Sequence, residues 1–186
     1  MPRHPKLILA SGSPRRAELL TSAGFSFDVE PADVDESIRD GEAAENYVLR
    51  VAKDKARAIA QRQADPAVVL GADTVVVADG EILGKPRDRE DAARMLTLLS
   101  GRLHDVLTGV VVIESGRERV VIERTIVSFL PLSPDAIAWY IDSGEPFGKA
   151  GAYGIQGRAA RFIDRIDGSW SNVVGLPIAT VTRLLE

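Results

Sequence analysis

Ala67-Val68-Val69-Leu70-Gly71-Ala72-Asp73-Thr74-Val75-Val76-Val77-Ala78 runs straight into Asp79-Gly80. The run is rich in the β-branched residues that fit a pleated surface, and Asp-Gly is a strong two-residue hairpin signal. The stretch predicts a strand over 67–78 that turns and returns through Glu81–Gly84. With Asp79-Gly80 as the turn, Ala78 faces Glu81. Extending that register places Thr74 opposite Lys85, and Lys85 on the other face from Asp73 unless a bulge intervenes.

Working toward the start, Lys6–Ala10 reads as a short buried strand. Ser13-Pro14 then opens a helix, with Ser at the N-cap and Pro in the first turn, and Gly24 closes it. A strand is expected near Phe25–Glu30, then an acid-rich loop from Pro31 to Gly41. A long helix follows from Glu42 to about Gln63, with an apolar stripe through Ala44, Val48, Val51, Ala52 and Ile59. Toward the other end, Asp88 caps a helix over about 89–100 that Gly101 ends. Long strands near 103–114 and 119–131 are joined at Ser115-Gly116. Ser133-Pro134 opens a helix closed by Gly144. A glycine-rich segment runs to Gly157, then a strand near 161–166 and a last helix from about Leu176. Irregular alternation with several hairpins favours a mixed sheet flanked by helices over a purely parallel one. There are no repeats and no long linker.

The chain has 186 residues, 45% apolar and 27% charged, which is an ordinary globular α/β composition that excludes disordered and low-complexity classes. It suits one domain or two closely packed lobes. There is no cysteine, so disulfides, thiolate nucleophiles and Cys-based zinc sites are excluded. A net charge of −4 argues against a nucleic-acid-coating protein but not against small anions bound by local cations. No apolar run approaches the roughly 20 residues of a membrane span, and the opening stretch is too short for a signal segment. A cytoplasmic location is expected.

Standard motifs fail. Gly148-Lys149 is followed by Ala150, so there is no phosphate-binding P-loop. No metalloprotease or nucleophile-elbow motif occurs. His4 and His104 are the only histidines, and His104 at a strand start reads as structural or hydrogen-bonded. What remains is a set of residues out of place. Arg15 and Arg16 occupy the first turn of a helix, where the dipole disfavours cations by about 0.3–1 kcal/mol each. They either flank a bound anion or point into water. Asp73 interrupts an apolar strand, as a general base, a metal ligand, or a carboxylate bonded to nearby backbone. Lys55 lies on the apolar stripe of the long helix, either snorkelling or reaching into a site. Asp33, Asp35 and Glu36 form an acidic loop suited to Mg²⁺ or merely solvated. The glycine-rich segment carries Lys149, Tyr153 and Gln156, whose amide could both donate and accept at a base edge. Trp139, Tyr140 and Trp170 are most simply packing residues. Cations for phosphate, carboxylates for metal and water, and an amide for a base make up the inventory of a nucleotide-hydrolysing site.

Leu9-Ala10-Ser11-Gly12-Ser13-Pro14-Arg15-Arg16, Gly71-Ala72-Asp73-Thr74, Gly84-Lys85-Pro86, Lys149–Gly157 and Asn172-Val173-Val174-Gly175-Leu176-Pro177 together resemble the Maf family of nucleoside triphosphate pyrophosphatases, over nearly the whole chain. The resemblance implies a single Maf-like domain over residues 1–186. It implies a long bent mixed sheet flanked by helices, with two lobes around a cleft, related to inosine triphosphate pyrophosphatases. It implies hydrolysis between the α and β phosphates with Mg²⁺ or Mn²⁺, and a homodimer. By the same resemblance Asp73 is the proton acceptor, and Arg15, Thr74 and Gln156 match the positions of the dTTP/UTP branch. Trp170 departs from the usual Tyr. The combined reading makes Asp73, Lys55 and Lys85 catalytic. Ser13, Arg15, Arg16, Thr74 and Gln156 bind substrate, and Asp73 and Glu36 ligate metal. The rival readings are a nucleotide-binding regulator of septum formation without turnover, and a general phosphatase releasing orthophosphate.

Overall fold

The computed structural model describes residues 6–186; His4 and the opening stretch lie outside them. Strands β1 (Lys6–Leu9), β2 (Phe27–Val29), β3 (Ala67–Ala78), β4 (Glu81–Leu83), β5 (Leu103–Glu114), β6 (Arg117–Phe129) and β7 (Ile163–Asp167) form one seven-stranded sheet. The order is β2-β1-β3-β5-β6-β7, with β4 paired to β3 off that path. β1 is parallel to both β2 and β3, whereas β3–β4 and β6–β7 are antiparallel. This is the expected mixed sheet, with helices α1 (Pro14–Ser22), α2 (Ala44–Ala60), α3 (Arg89–Leu99), α4 (Pro134–Asp142), α5 (Trp170–Val174) and α6 (Ile178–Leu185).

The described residues form two compact units. The first holds the residues up to Asp73 together with Thr108–Glu123 and Gly175–Glu186, and the second holds Thr74–Leu107 and Arg124–Val174.

In the first unit, α2 buries Ala52, Ala56 and Ile59 against Ile8, Ala10, Val69, Val111 and Ile113. The helix lies unusually close to the sheet because two strand positions lack a side chain. A Cβ on Gly71 would sit 2.4 Å from the Ala52 carbonyl oxygen and 2.8 Å from the Ala56 Cβ, and one on Gly109 would sit 2.5 Å from the Val48 carbonyl oxygen. The helix is shorter than the stripe predicts. Glu42 stays outside because its carboxylate accepts from the Arg39 N–H and the Arg50 guanidinium. At the other end, Arg62 N–H donates to the Ile59 carbonyl, a tightened last turn. Ser13 sits at the N-cap of α1, but its side chain makes no capping hydrogen bond.

In the second unit, the Asp79-Gly80 turn has φ of 49° and 79°, as a type I′ turn needs, and Ala78 pairs with Glu81 as expected. The ladder then stops at Val76–Leu83. The extended register that set Thr74 opposite Lys85 is therefore corrected: Gly84 leaves the ladder, and its carbonyl accepts from the Gly151 N–H at 3.0 Å. Asp88 and Ser133 cap α3 and α4, accepting from Asp91 N–H at 2.8 Å and Ala136 N–H at 3.2 Å. Trp139 and Trp170 are exposed, so neither is a core residue, although Trp139 packs edge-on to Phe162; Tyr140 is fully buried. The guanidinium carbon of Arg161 stands 4.7 Å from the centroid of the Trp139 ring. The last helix expected from about Leu176 is α6, which starts at Ile178 after Pro177 at its N-cap, while the short α5 occupies the loop expected before it.

His104 is buried, and its Nε2 lies 2.8 Å from the Tyr153 hydroxyl, with Phe129 edge-on to both rings. Burial pushes its pKa from 6.5 down to about 4. The unfolded chain therefore binds the extra proton first. The stabilisation from neutral His104 is complete above pH 6.5 and lost as pH falls toward 4, about 3 kcal/mol in all. Urea unfolding at pH 7, 5.5 and 4.5 should show this decline, and His104→Gln should flatten it. An equal decline in that variant would assign the loss to other groups.

Candidate functional site

Lys55 stands at the middle of the site in the first unit. It projects from α2 toward β3, where Gly71 and Asp73 share one strand face. The close seating that Gly71 allows brings the lysine to the carboxylate. Lys55 Nζ lies 2.7 Å from Asp73 Oδ1 and 2.7 Å from Glu36 Oε1. The Lys55 and Asp73 side chains are 8% and 9% exposed, whereas Glu36 is 42% exposed. Asp73 is thus the shielded carboxylate and Glu36 the one facing water.

Glu36 belongs to the acidic loop, and α2 pins that loop. Tyr47 donates to the Glu36 carbonyl at 2.8 Å. Arg50 donates to the Ser37 carbonyl at 2.9 Å and holds Glu42 bidentately. Neither Tyr47 nor Arg50 is prominent in the sequence; their only signal is a place on the same helix as Lys55, one to two turns before it. Burial, with Asp73 and Glu36 adding to it, pushes the Tyr47 phenol well above its ordinary value.

Arg16 does not point into water. Its guanidinium is buried, with Nε donating to the Gly175 carbonyl at 2.8 Å and Nη1 to Ser11 Oγ at 3.0 Å. Burial lowers its pKa, the Asp73 and Glu36 carboxylates oppose that, and Arg15 adds to it. Arg16 thus lies within electrostatic reach of Asp73, Glu36 and Arg15. Arg15 is half-buried, and burial lowers its pKa too. Lys55 and Arg16 are thus the two buried cations that face the Asp73 and Glu36 carboxylates. Gly175 explains why the Asn172–Pro177 motif matters to a site residue far away in sequence. Ser13 is half-buried, and its N–H donates to Ser11 Oγ at 3.3 Å.

The remaining expected residues belong to the second unit. Thr74 is half-buried, while Lys85 and Gln156 are exposed. The Gly84–Gly151 hydrogen bond ties the Gly84-Lys85-Pro86 motif to the glycine-rich segment, where Gly151 (φ 66°) would clash with Val76 if it carried a Cβ. A 510 Å³ groove of this unit, lined by Ala93, Leu132, Ile137 and Ile141 among others, includes none of the motif residues.

The donor set suits a hard cation. Asp73 and Glu36 both converge on the Lys55 ammonium, so a divalent ion would share them with that lysine, and among the described residues no cluster of three or more His, Cys, Asp or Glu side chains suited to a metal exists. A divalent ion there would complete its shell with phosphate oxygens and water, as Mg²⁺ does.

A lysine, an arginine and an aspartate buried together in one unit of an α/β protein are the kind of cluster that marks an active site. The family is specific: the chain belongs to the Maf family, whose Maf-like protein model matches residues 6–186. The dTTP/UTP pyrophosphatase of Anaeromyxobacter sp. (strain Fw109-5) is 52% identical over 186 residues, covering 97% of this chain and 88% of that protein. Those of Symbiobacterium thermophilum and Bacillus pumilus are also 52% identical, each covering 97% of this chain and 92% and 95% of theirs. A solved dITP/XTP pyrophosphatase from Mycobacterium abscessus aligns with a TM-score of 0.39 at 21% identity, over 67% of this chain and 72% of that one. That similarity is too low to argue from.

Proposed function

We propose that this chain hydrolyses dTTP, UTP and modified pyrimidine triphosphates between the α and β phosphates, yielding the nucleoside monophosphate and pyrophosphate. The observation that carries this reading is the Asp73–Lys55–Glu36 ion cluster beside buried Arg16. Relatives 52% identical over nearly the full chain, named dTTP/UTP pyrophosphatases, support it.

Asp73 takes the proton of the attacking water, and Lys55, 2.7 Å from its Oδ1, orients the carboxylate. Arg15, Arg16, Lys55 and Lys85 offset charge on the phosphates as the α–β bond breaks. Ser13 contributes a hydroxyl to the phosphates. Asp73 and Glu36 would hold a divalent ion, Mg²⁺ or Mn²⁺, which supplies charge neutralisation at the phosphate oxygens. Thr74 and Gln156 read the base. Uracil and thymine present an N3–H donor beside carbonyl acceptors, which one side-chain amide can match from a single orientation. The working form is a cytoplasmic homodimer.

The test is a panel of nucleoside triphosphates with purified protein and Mg²⁺, with pyrophosphate and orthophosphate assayed separately. Pyrophosphate from dTTP and UTP, at least about tenfold faster than from purine triphosphates, is the expected result. Orthophosphate as the product would make the chain a general phosphatase. Bound nucleotide surviving intact with Mg²⁺ would make it a regulator without turnover.

A further inference from the structure

Gln156 lies at the tip of a turn, exposed and flanked by glycines. An amide in that position discriminates poorly, because a 180° flip exchanges its donor and acceptor and suits cytosine as well as uracil. A backbone free to shift would add to that tolerance. The structure shows the turn tied down on both sides of Gln156 by one pair of side chains.

Tyr140, fully buried on α4, accepts from the Gly154 N–H at 3.2 Å and donates to Glu145 Oε1 at 3.0 Å. The other carboxylate oxygen, Glu145 Oε2, accepts from the Arg158 N–H at 3.0 Å. The two backbone donors lie two residues either side of Gln156, and a single hydroxyl–carboxylate relay joins them. The carboxylate sits against Gly157 so closely that a Cβ there would be 2.3 Å from Oε1. Only glycine admits the relay at that position. Lys149 closes the base of the loop by donating from Nζ to the Glu145 carbonyl.

We propose that Tyr140 and Glu145 are positioning residues for base selection: they clamp the 154–158 turn so that Gln156 meets the pyrimidine edge from one fixed backbone. This rests on the base-reading role of Gln156 proposed above. Neither residue touches substrate. Their effect passes through Gln156 alone, so it falls on discrimination rather than on the chemical step.

The experiment compares kcat/KM for UTP and CTP in wild type, Gln156→Ala, Tyr140→Phe, Glu145→Ala and the two clamp variants combined with Gln156→Ala, with melting temperatures recorded for each. Tyr140→Phe keeps the buried ring and volume, so it serves even if Glu145→Ala does not fold. The expected result is a UTP:CTP ratio lowered roughly tenfold by Gln156→Ala and by each clamp variant. The loss should lie in KM, with kcat at saturation within about twofold of wild type. Adding a clamp substitution to Gln156→Ala should lower the ratio little further, because coupled residues are not additive. A ratio unchanged in the clamp variants, or UTP and CTP falling together, overturns the clamp while leaving Gln156 as base reader if Gln156→Ala alone lowers the ratio. A ratio unchanged in Gln156→Ala overturns the base reading and the clamp with it.

Discussion

Asp73→Asn is expected to lower kcat for pyrimidine triphosphates about a thousandfold while the chain stays folded. The amide has the carboxylate's shape, and its oxygen still accepts from Lys55, but it cannot take a proton from water. The buried ammonium keeps Glu36 as a charged partner at 2.7 Å, so the variant escapes the roughly 3–5 kcal/mol penalty of stranding a buried charge. A large rate effect with a small stability effect is therefore the signature. Single-turnover kinetics and thermal melts on the same preparation measure both. A kcat near that of wild type would remove Asp73 from the role of proton acceptor. The opposite pattern, intact rate per folded molecule with a collapsed melting temperature, would make it a structural ion-pair partner.

Gly71→Ala is expected to destabilise the chain by about 3 kcal/mol and to lower kcat/KM, although Gly71 offers no side chain to any substrate. The added methyl would meet the Ala52 carbonyl and Ala56 at 2.4 and 2.8 Å. Both belong to the helix, one of them backbone, so relief requires α2 to lift away from β3. Lys55 lies between those two alanines and would lift with it, lengthening its 2.7 Å contact to Asp73. Gly84→Ala is the stability control, since a Cβ there meets nothing within 4 Å. Urea unfolding of the two variants should separate them clearly; equal stability would mean that the helix–sheet spacing is not set by Gly71.

What was legible in the sequence was local. The β3 run, its Asp79-Gly80 turn and the Asp88 and Ser133 caps depend on residues a few positions apart, and each formed as read. Ser13 took the N-cap position without a side-chain capping bond, while Ser11 Oγ accepts from the Ser13 N–H and from Arg16. The helix over 42–63 was shortened by side-chain bonds of Glu42 that periodicity does not reveal. Lys55 and Asp73 were each marked by being polar on an apolar surface, but their pairing across 18 positions, and Glu36 as a third member, needed the fold. The hairpin register was right near the turn and failed on extrapolation, since the Gly84 carbonyl found Gly151 rather than the neighbouring strand. Trp139 and Trp170 did not join the core, because a large ring implies burial only on average; Trp139 packs edge-on to Phe162 and under two arginines.

The Arg16–Gly175 hydrogen bond spans 159 positions. No local turn joins these two residues; strand pairings formed between them must first shorten the effective loop. The arginine can take its seat only after the opening and closing stretches of the chain have met. Completion of the Arg16–Lys55–Asp73–Glu36 cluster is thereby coupled to completion of folding: a partly folded chain holds the acidic residues without this anchored cation.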